Sequence, residues 1–154
     1  MANGICVFAE NYNGKLEPVS AELITAAHLI QETTREQISV IVVAKDCDGI
    51  VKELANLGVD KIYVVKTDHD ILLQDDAGSQ AVAEILKKIE PTSVLIPATP
   101  TGRSLFSRVA VKLNCGLTAD CTELLVGTKE DGSHFIKQNK PSFGENVVVT
   151  IITK

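Results

Sequence analysis

The sequence predicts an α/β protein: a three-layer, doubly wound, mostly parallel sheet with helices on both faces, followed by a C-terminal antiparallel hairpin and strand. Two observations predict this fold. Four short aliphatic runs, at residues 5–9, 38–44, 62–65 and 94–97, are apolar at successive positions, as in strands that are covered on both faces. Segments with a helical period of 3.6 residues separate these runs, and such alternation is typical of βαβ units.

Four helices are predicted in this alternation. Pro18 suits a first helical turn and opens the first helix. Asp46 is expected to cap the second helix and Gly58 to end it. The third helix is predicted over about residues 77–90, and the fourth starts near Thr101. The apolar positions at helical spacing are Val19, Leu23, Ala27, Ile30, Ile50, Leu54, Leu57, Val82, Ile85, Leu86, Ile89, Leu105, Val109 and Leu113.

After Gly116 the helical period disappears and β-branched residues dominate. Asp131 and Gly132 form a hairpin signal, with residues 121–126 and 133–138 as its arms. A strongly apolar strand is predicted over 147–153. We expect residues 1–154 to form a single domain. A core strand this close to the C-terminus also suggests a piece of a longer protein.

Composition and charge exclude several classes of partner. The 154 residues include 15 Lys and Arg against 20 Asp and Glu, a net charge of −5 that disfavours nucleic acid. No apolar run is long enough for membrane insertion, and the N-terminus lacks the basic region of a signal peptide, so we expect a cytoplasmic protein. Two Tyr, four Phe and no Trp leave few platforms on which a flat ligand could stack.

The cysteines and histidines form no metal motif. Cys6, Cys47, Cys115 and Cys121 include no C-x-x-C spacing, which favours reduced thiols in a reducing compartment. Cys115 and Cys121 are the pair close enough in sequence for a disulfide to be considered. The acid-flanked histidine at residues 68–70 could contribute to a metal site, but a solvated loop is the favoured interpretation. We therefore expect no bound metal.

The fourth predicted βα connection carries the candidate site. Gly102 allows close backbone approach, Thr101 and Ser104 offer hydroxyl donors, and Arg103 offers a planar guanidinium, all at a helix N-terminus. These groups suit an anion or a nucleotide phosphate. The alternative is an ordinary βα turn with Thr101 as the N-cap and Arg103 in solvent.

Known catalytic and phosphate-binding motifs are absent from the sequence. The dinucleotide fingerprint, the P-loop and the G-x-S-x-G elbow all fail, and no Cys neighbours a His in sequence. We therefore expect a protein that is not an enzyme.

Several motifs together resemble one known family. They are the segment at 101–110 that begins T-G-R, the run G-L-T-A-D-C-T at 116–122, the opening V-F-A-E at 7–10 followed by G-K-L at 14–16, and K-P-S-F-G at 140–144. Over essentially its whole length, the chain resembles the N-terminal domain of the electron transfer flavoprotein alpha subunit. It departs from the usual family pattern at Ser104, Ser107 and Glu145.

The resemblance implies a fold like that of the adenine nucleotide alpha-hydrolase group. It also implies a domain that packs against an electron transfer flavoprotein beta subunit, beneath a separate C-terminal alpha domain that holds FAD. The whole assembly would carry electrons from dehydrogenases such as acyl-CoA dehydrogenases. The flavin domain is not in this sequence, so we expect no cofactor on this chain alone. A related domain of the beta subunit binds AMP, but the residues responsible there are not matched here.

Three functions follow as hypotheses. The first is a non-catalytic scaffold and docking domain of such an electron carrier. The second is an autonomous nucleotide-binding or nucleotide-cleaving domain that uses the predicted anion site. The third is a regulatory module that forms dimers through a sheet edge or a helix face.

Overall fold

The computed structural model describes residues 4–67, 75–142 and 147–153, which contain four helices and nine strands. In chain order these are β1 (Ile5–Ala9), β2 (Asn11–Tyr12), β3 (Lys15–Leu16), α1 (Pro18–Thr34), β4 (Ile38–Ala44), α2 (Asp48–Asn56), β5 (Lys61–Lys66), α3 (Asp75–Ile89), β6 (Ser93–Leu95), α4 (Pro100–Leu113), β7 (Glu123–Thr128), β8 (His134–Pro141) and β9 (Val148–Ile152).

The four short aliphatic runs form one parallel sheet in the order β5-β4-β1-β6. Val7 of β1 lies opposite Val40 of β4 on one side and Leu95 of β6 on the other. The chain therefore starts in the middle of the sheet, moves outward through β4 and β5, and returns past β1 to β6. This reversal makes the fold doubly wound, as predicted, and places the crevice between the ends of β1 and β6.

Two hydrophobic cores cover the two faces of this sheet, because alternate residues of a strand point to opposite sides. Val7 packs into the core beneath α1 and α2, and Phe8 into the core beneath α3 and α4. The rings of Phe8 and Phe106 meet edge to face, with centroids 5.0 Å apart. The predicted three-layer architecture is confirmed.

Helix α1 begins at Pro18 as predicted, whereas the other three helices begin slightly away from their predicted starts. Helix α4 begins at Pro100, and its N-cap is Thr99 rather than Thr101. A proline is well suited to the first helical position, which moves the cap one residue before it. Helix α2 has Cys47 as its N-cap, while the Asp46 carboxylate accepts a hydrogen bond from the Asp48 N–H at 3.3 Å. Gly58, with φ of +75°, follows this helix as predicted.

A small hairpin, β2–β3, was not predicted. Its turn is formed by Asn13 and Gly14, whose φ angles of 49° and 73° match the left-handed conformation that Asn-Gly hairpin turns require. The signal was therefore present in the sequence. The hairpin leads the chain from the end of β1 to the start of α1, where the Glu17 N–H donates to the Glu10 carbonyl at 2.9 Å.

The C-terminal strands form a separate antiparallel sheet in the order β7-β8-β9. The predicted turn is present: Gly132 has φ of +81°, and the Asp131 carboxylate accepts a hydrogen bond from the Ser133 N–H at 2.9 Å. The strands start slightly later than predicted and extend to Thr128 and Pro141. Leu124, Val126 and Ile136 pack against the core beneath α1, so one face of this sheet is inner and the other is outer.

Candidate functional site

The four residues predicted to face an anion all lie in the first turn and a half of α4, beside the end of β1. Gly102 is buried, Thr101 is half-buried, and Arg103 and Ser104 are exposed. Open α/β sheets bind ligands at this edge, where the strand order reverses. The sequence therefore locates the residues at the expected crevice, and the contacts of each residue decide what the crevice can hold.

Gly102 allows a close approach, and the group that approaches is the protein's own backbone. A Cβ atom at this position would lie 2.1 Å from the Pro97 carbonyl oxygen. The Gly102 N–H donates to Thr99 Oγ1 at 3.0 Å, and the Arg103 N–H donates to the Thr99 carbonyl at 2.9 Å. Pro100 has no N–H to offer. Much of the donor capacity of this helix N-terminus is thus used within the turn itself.

Arg103 binds a carboxylate of the same chain. Its Nη2 lies 2.6 Å from Asp120 Oδ1, and its Nε donates to the Ala98 carbonyl at 3.1 Å. Asp120 belongs to the G-L-T-A-D-C-T run, so this ion pair joins the two most specific segments of the sequence. The guanidinium therefore fastens the segment after α4 to the start of that helix.

Ser104 contacts its own helix. Arg108 Nη1 donates to Ser104 Oγ at 3.0 Å and to the Ser104 carbonyl at 3.2 Å, and the Ser107 hydroxyl donates to that carbonyl at 3.0 Å. Ser104 and Arg108 are one helical turn apart, which explains the contact.

Glu10, which was not predicted as a site residue, lies beside the N-terminus of α4. It follows directly after β1, and its Oε2 accepts a hydrogen bond from Thr99 Oγ1 at 2.8 Å. The Glu10 carbonyl accepts from the Ser20 hydroxyl at 3.0 Å and from the Glu17 N–H at 2.9 Å. A sequence signal existed, because Glu10 ends the V-F-A-E motif at the carboxyl end of the first predicted strand.

Removal of the Arg103–Asp120 ion pair is expected to change stability little. Both side chains are about half exposed, at 55% and 49%, and exposed pairs contribute roughly 0.2–1 kcal/mol. A double-mutant cycle with Arg103→Ala and Asp120→Ala, followed by urea denaturation, should therefore give a coupling energy of at most about 1 kcal/mol. The coupling should weaken at high salt. A coupling that is large and insensitive to salt would contradict this expectation.

The four cysteines are free thiols, so Cys115 and Cys121 are not joined. Cys6 and Cys47 are buried, whereas Cys115 is exposed. Among the described residues, no group of three His, Cys, Asp or Glu side chains could hold a metal ion. The histidine considered at residues 68–70 lies outside the described residues.

The cysteines are expected to differ strongly in alkylation rate. Burial raises the pKa of the Cys6 thiol to about 11, against a hydrogen bond with Ser39 that lowers it, so little thiolate forms at pH 8. Cys115 should react with iodoacetamide at least about 100-fold faster than Cys6, as followed by mass spectrometry of peptides. Unfolding in urea should remove the difference. Equal rates in the folded chain would contradict the burial of Cys6.

The unfolded thiol has a pKa of 9.0, and the folded Cys6 thiol has a raised pKa of about 11. The folded state therefore holds this proton more tightly. Cys6 leaves the free energy of unfolding unchanged below pH 9 and lowers it as the pH rises from 9 towards 11.

Comparison with known proteins identifies the family. The Electron transfer flavoprotein domain family matches residues 5–154. The chain belongs to this family. It is 34% identical over 149 residues to the electron transfer flavoprotein subunit alpha of Megasphaera elsdenii, covering 97% of this chain and 43% of that protein. It is 35% identical over 155 residues to protein FixB of Azorhizobium caulinodans, covering 97% of this chain and 40% of that protein.

A third relative is the lactate dehydrogenase (NAD(+),ferredoxin) subunit LctC of Acetobacterium woodii, at 30% identity over 98% of this chain and 35% of that protein. The chain thus spans less than half the length of these curated relatives. The alpha-subunit type suggested by the motifs is confirmed. Within its described ranges, none of its helices is both long and apolar enough to cross a bilayer.

The groups around Glu10 do not suit the pyrophosphate of a flavin dinucleotide. The crevice where a pyrophosphate would meet a helix N-terminus holds the Glu10 carboxylate, which would repel it. Gly102, which a nucleotide would approach, is covered by the Pro97 carbonyl. Phe8 and Phe106 are buried against each other, so their faces are not available for stacking.

Proposed function

We propose that this chain is a scaffold and partner-docking domain of an electron transfer flavoprotein alpha subunit. The match of the family over residues 5–154 carries the proposal. The full heterodimer, formed with a beta subunit, would carry electrons on FAD from dehydrogenases to an acceptor. The domain itself performs no catalysis in this proposal.

The outer face of the β7-β8-β9 sheet supports the docking role. Several apolar side chains on this face are exposed to solvent: Val148 is 62% exposed, Ile152 52% and Leu125 44%. Between them runs a hydrogen-bonded polar ladder, in which Thr150 Oγ1 donates to Asn139 Oδ1 at 2.6 Å and Asn139 Nδ2 donates to a Glu123 oxygen at 2.7 Å. A face of this mixture resembles protein interfaces, which combine apolar anchors with satisfied polar groups.

The edge strand β9 adds to this surface. Among the described strands it pairs with β8 alone, so its other edge offers backbone N–H and C=O groups. Residues 147–153 contain no charged residue and no proline, the devices that usually protect an edge strand. A partner that adds a strand or covers the edge would remove this exposure, which suits a domain that works in a complex.

In this proposal the FAD is held outside the described residues, by a further part of the alpha subunit. The closed crevice beside Glu10 supports this placement. The free cysteines support a reducing compartment, and we place the protein in the cytoplasm.

The experiment combines the isolated chain with a beta-type subunit of the family. We expect a one-to-one complex in analytical ultracentrifugation. We also expect that the isolated chain, after incubation with FAD and gel filtration, shows no visible flavin absorbance. Failure to form a complex with any beta-type subunit would contradict the docking role. Stoichiometric FAD on the isolated chain would contradict the placement of the cofactor.

A further inference from the structure

The crevice between β1 and β6 is the place where this architecture ordinarily admits a ligand, and here an acidic side chain stands in it. Glu10 comes from the end of β1 and Thr99 from the connection after β6, 89 residues later. Thr99 is the N-cap of α4, so its hydroxyl bridges the helix N-terminus and the carboxylate: it accepts from the Gly102 N–H and donates to Glu10 Oε2. A carboxylate is stabilised at this end of a helix.

The position of Glu10 is fixed at both ends of the residue. Its carbonyl accepts hydrogen bonds from the Ser20 hydroxyl and the Glu17 N–H, both at the start of α1. Its side chain is held by Thr99. Because the backbone is already fastened, the carboxylate reaches the crevice with little further loss of conformational freedom.

The Arg103 guanidinium, close to the same helix N-terminus, is also paired with a carboxylate. Arg103 is paired with Asp120 at 2.6 Å, so the guanidinium that a phosphate would use binds a carboxylate of the chain. Two internal carboxylates thus take contacts that an external anion needs.

We propose that Glu10 is a built-in blocking group, whose carboxylate closes the crevice to phosphate groups such as that of a nucleotide. Two negative groups cannot share the single hydroxyl donor of Thr99 without strong repulsion. The strand order that forms a nucleotide-type crevice is thereby present, but the phosphate of a ligand is excluded from it. Glu10 has this role whether or not the chain docks to a partner, because all the contacts lie within the chain.

The proposal is tested with Glu10→Ala and with inorganic phosphate as the probe. Phosphate is titrated against chloride at equal ionic strength, and the amide resonances of Thr101 and Gly102 are followed by NMR. We expect saturable shifts in Glu10→Ala, with an apparent affinity at least about tenfold higher than in the wild type, equivalent to about 1.4 kcal/mol. Acetate, which replaces the missing carboxylate, should also bind to Glu10→Ala and not to the wild type.

Glu36→Ala is the matched control. Glu36 Oε1 accepts a hydrogen bond from Thr92 Oγ1 at 2.8 Å, the same kind of contact at the opposite end of the sheet and away from any helix N-terminus. In this variant, phosphate and acetate should shift the amide resonances of Thr101 and Gly102 no more than they do in the wild type. Equal affinity of wild type, Glu10→Ala and Glu36→Ala for phosphate would overturn the proposal.

Glu10→Gln keeps an oxygen that can accept from Thr99 and removes the charge, so it carries the test should Glu10→Ala fail to fold. We expect the affinity of Glu10→Gln for phosphate to lie between that of the wild type and that of Glu10→Ala. A folded Glu10→Gln that binds phosphate no better than the wild type would also overturn the proposal.

Discussion

Replacement of Gly102 by alanine is expected to lower the free energy of unfolding by about 3 kcal/mol, at the upper end of the range for overpacked sites. The new Cβ atom would lie 2.1 Å from the Pro97 carbonyl oxygen, a separation that requires the backbone to move. The first turn of α4 must then shift away from the end of β6. This shift would disturb the Thr99 contacts with Gly102 and with Glu10, which hold the two sides of the crevice together.

Gly49→Ala is the control for this substitution. Gly49 is also in the first turn of its helix, α2, but a Cβ atom there would meet nothing within 4 Å. Alanine is a better helix former than glycine by up to about 1 kcal/mol, so Gly49→Ala should leave the chain as stable as before or stabilise it. Urea denaturation of the two variants checks the contrast. Equal stability of Gly102→Ala and the wild type would contradict the expected clash, because it would mean that α4 can move away from the Pro97 carbonyl at no cost in free energy.

The two glycines also show how far sequence patterns reach. The T-G-R segment led us to expect that an anion could approach the backbone at Gly102, whereas the group that lies there belongs to the chain itself. That group, the Pro97 carbonyl, became visible only with the path of the chain between β6 and α4. The aliphatic runs were more informative, since all four were found in the parallel sheet, although β5 at its edge is only partly buried and not covered on both faces as predicted.

The Glu10–Thr99 contact required a different kind of information. It joins residues 89 positions apart, and depends on β1 being the neighbour of β6 in the sheet. Local patterns predict strands but not their order, so the V-F-A-E motif placed Glu10 at the end of a strand but could not show that Thr99 lies beside it. The Asn13-Gly14 turn was a local signal, and the hairpin it forms was predictable in principle.

Two lysines on the outer face, introduced as Val148→Lys and Ile152→Lys, are expected to weaken binding of a beta-type partner by at least about 100-fold. Val148 and Ile152 are four residues apart in β9, so both side chains point to the same face of the sheet. Across the three strands, Ile152 is paired with Lys137, and Lys137 with Leu125, which form one row of that face. A lysine buried there by a partner would lose its hydration without an acidic group nearby in that row. Isothermal titration calorimetry with the beta-type subunit measures the effect.

The isolated chain should tolerate the same lysines, because both positions are more than half exposed. The free energy of unfolding is expected to change by no more than about 0.5 kcal/mol. Leu29→Lys is the matched control: Leu29 is 63% exposed on α1, away from the outer face, and its replacement should leave partner binding unchanged. Loss of binding in Leu29→Lys with retention in the double variant would move the docking surface from the sheet to the helix layer.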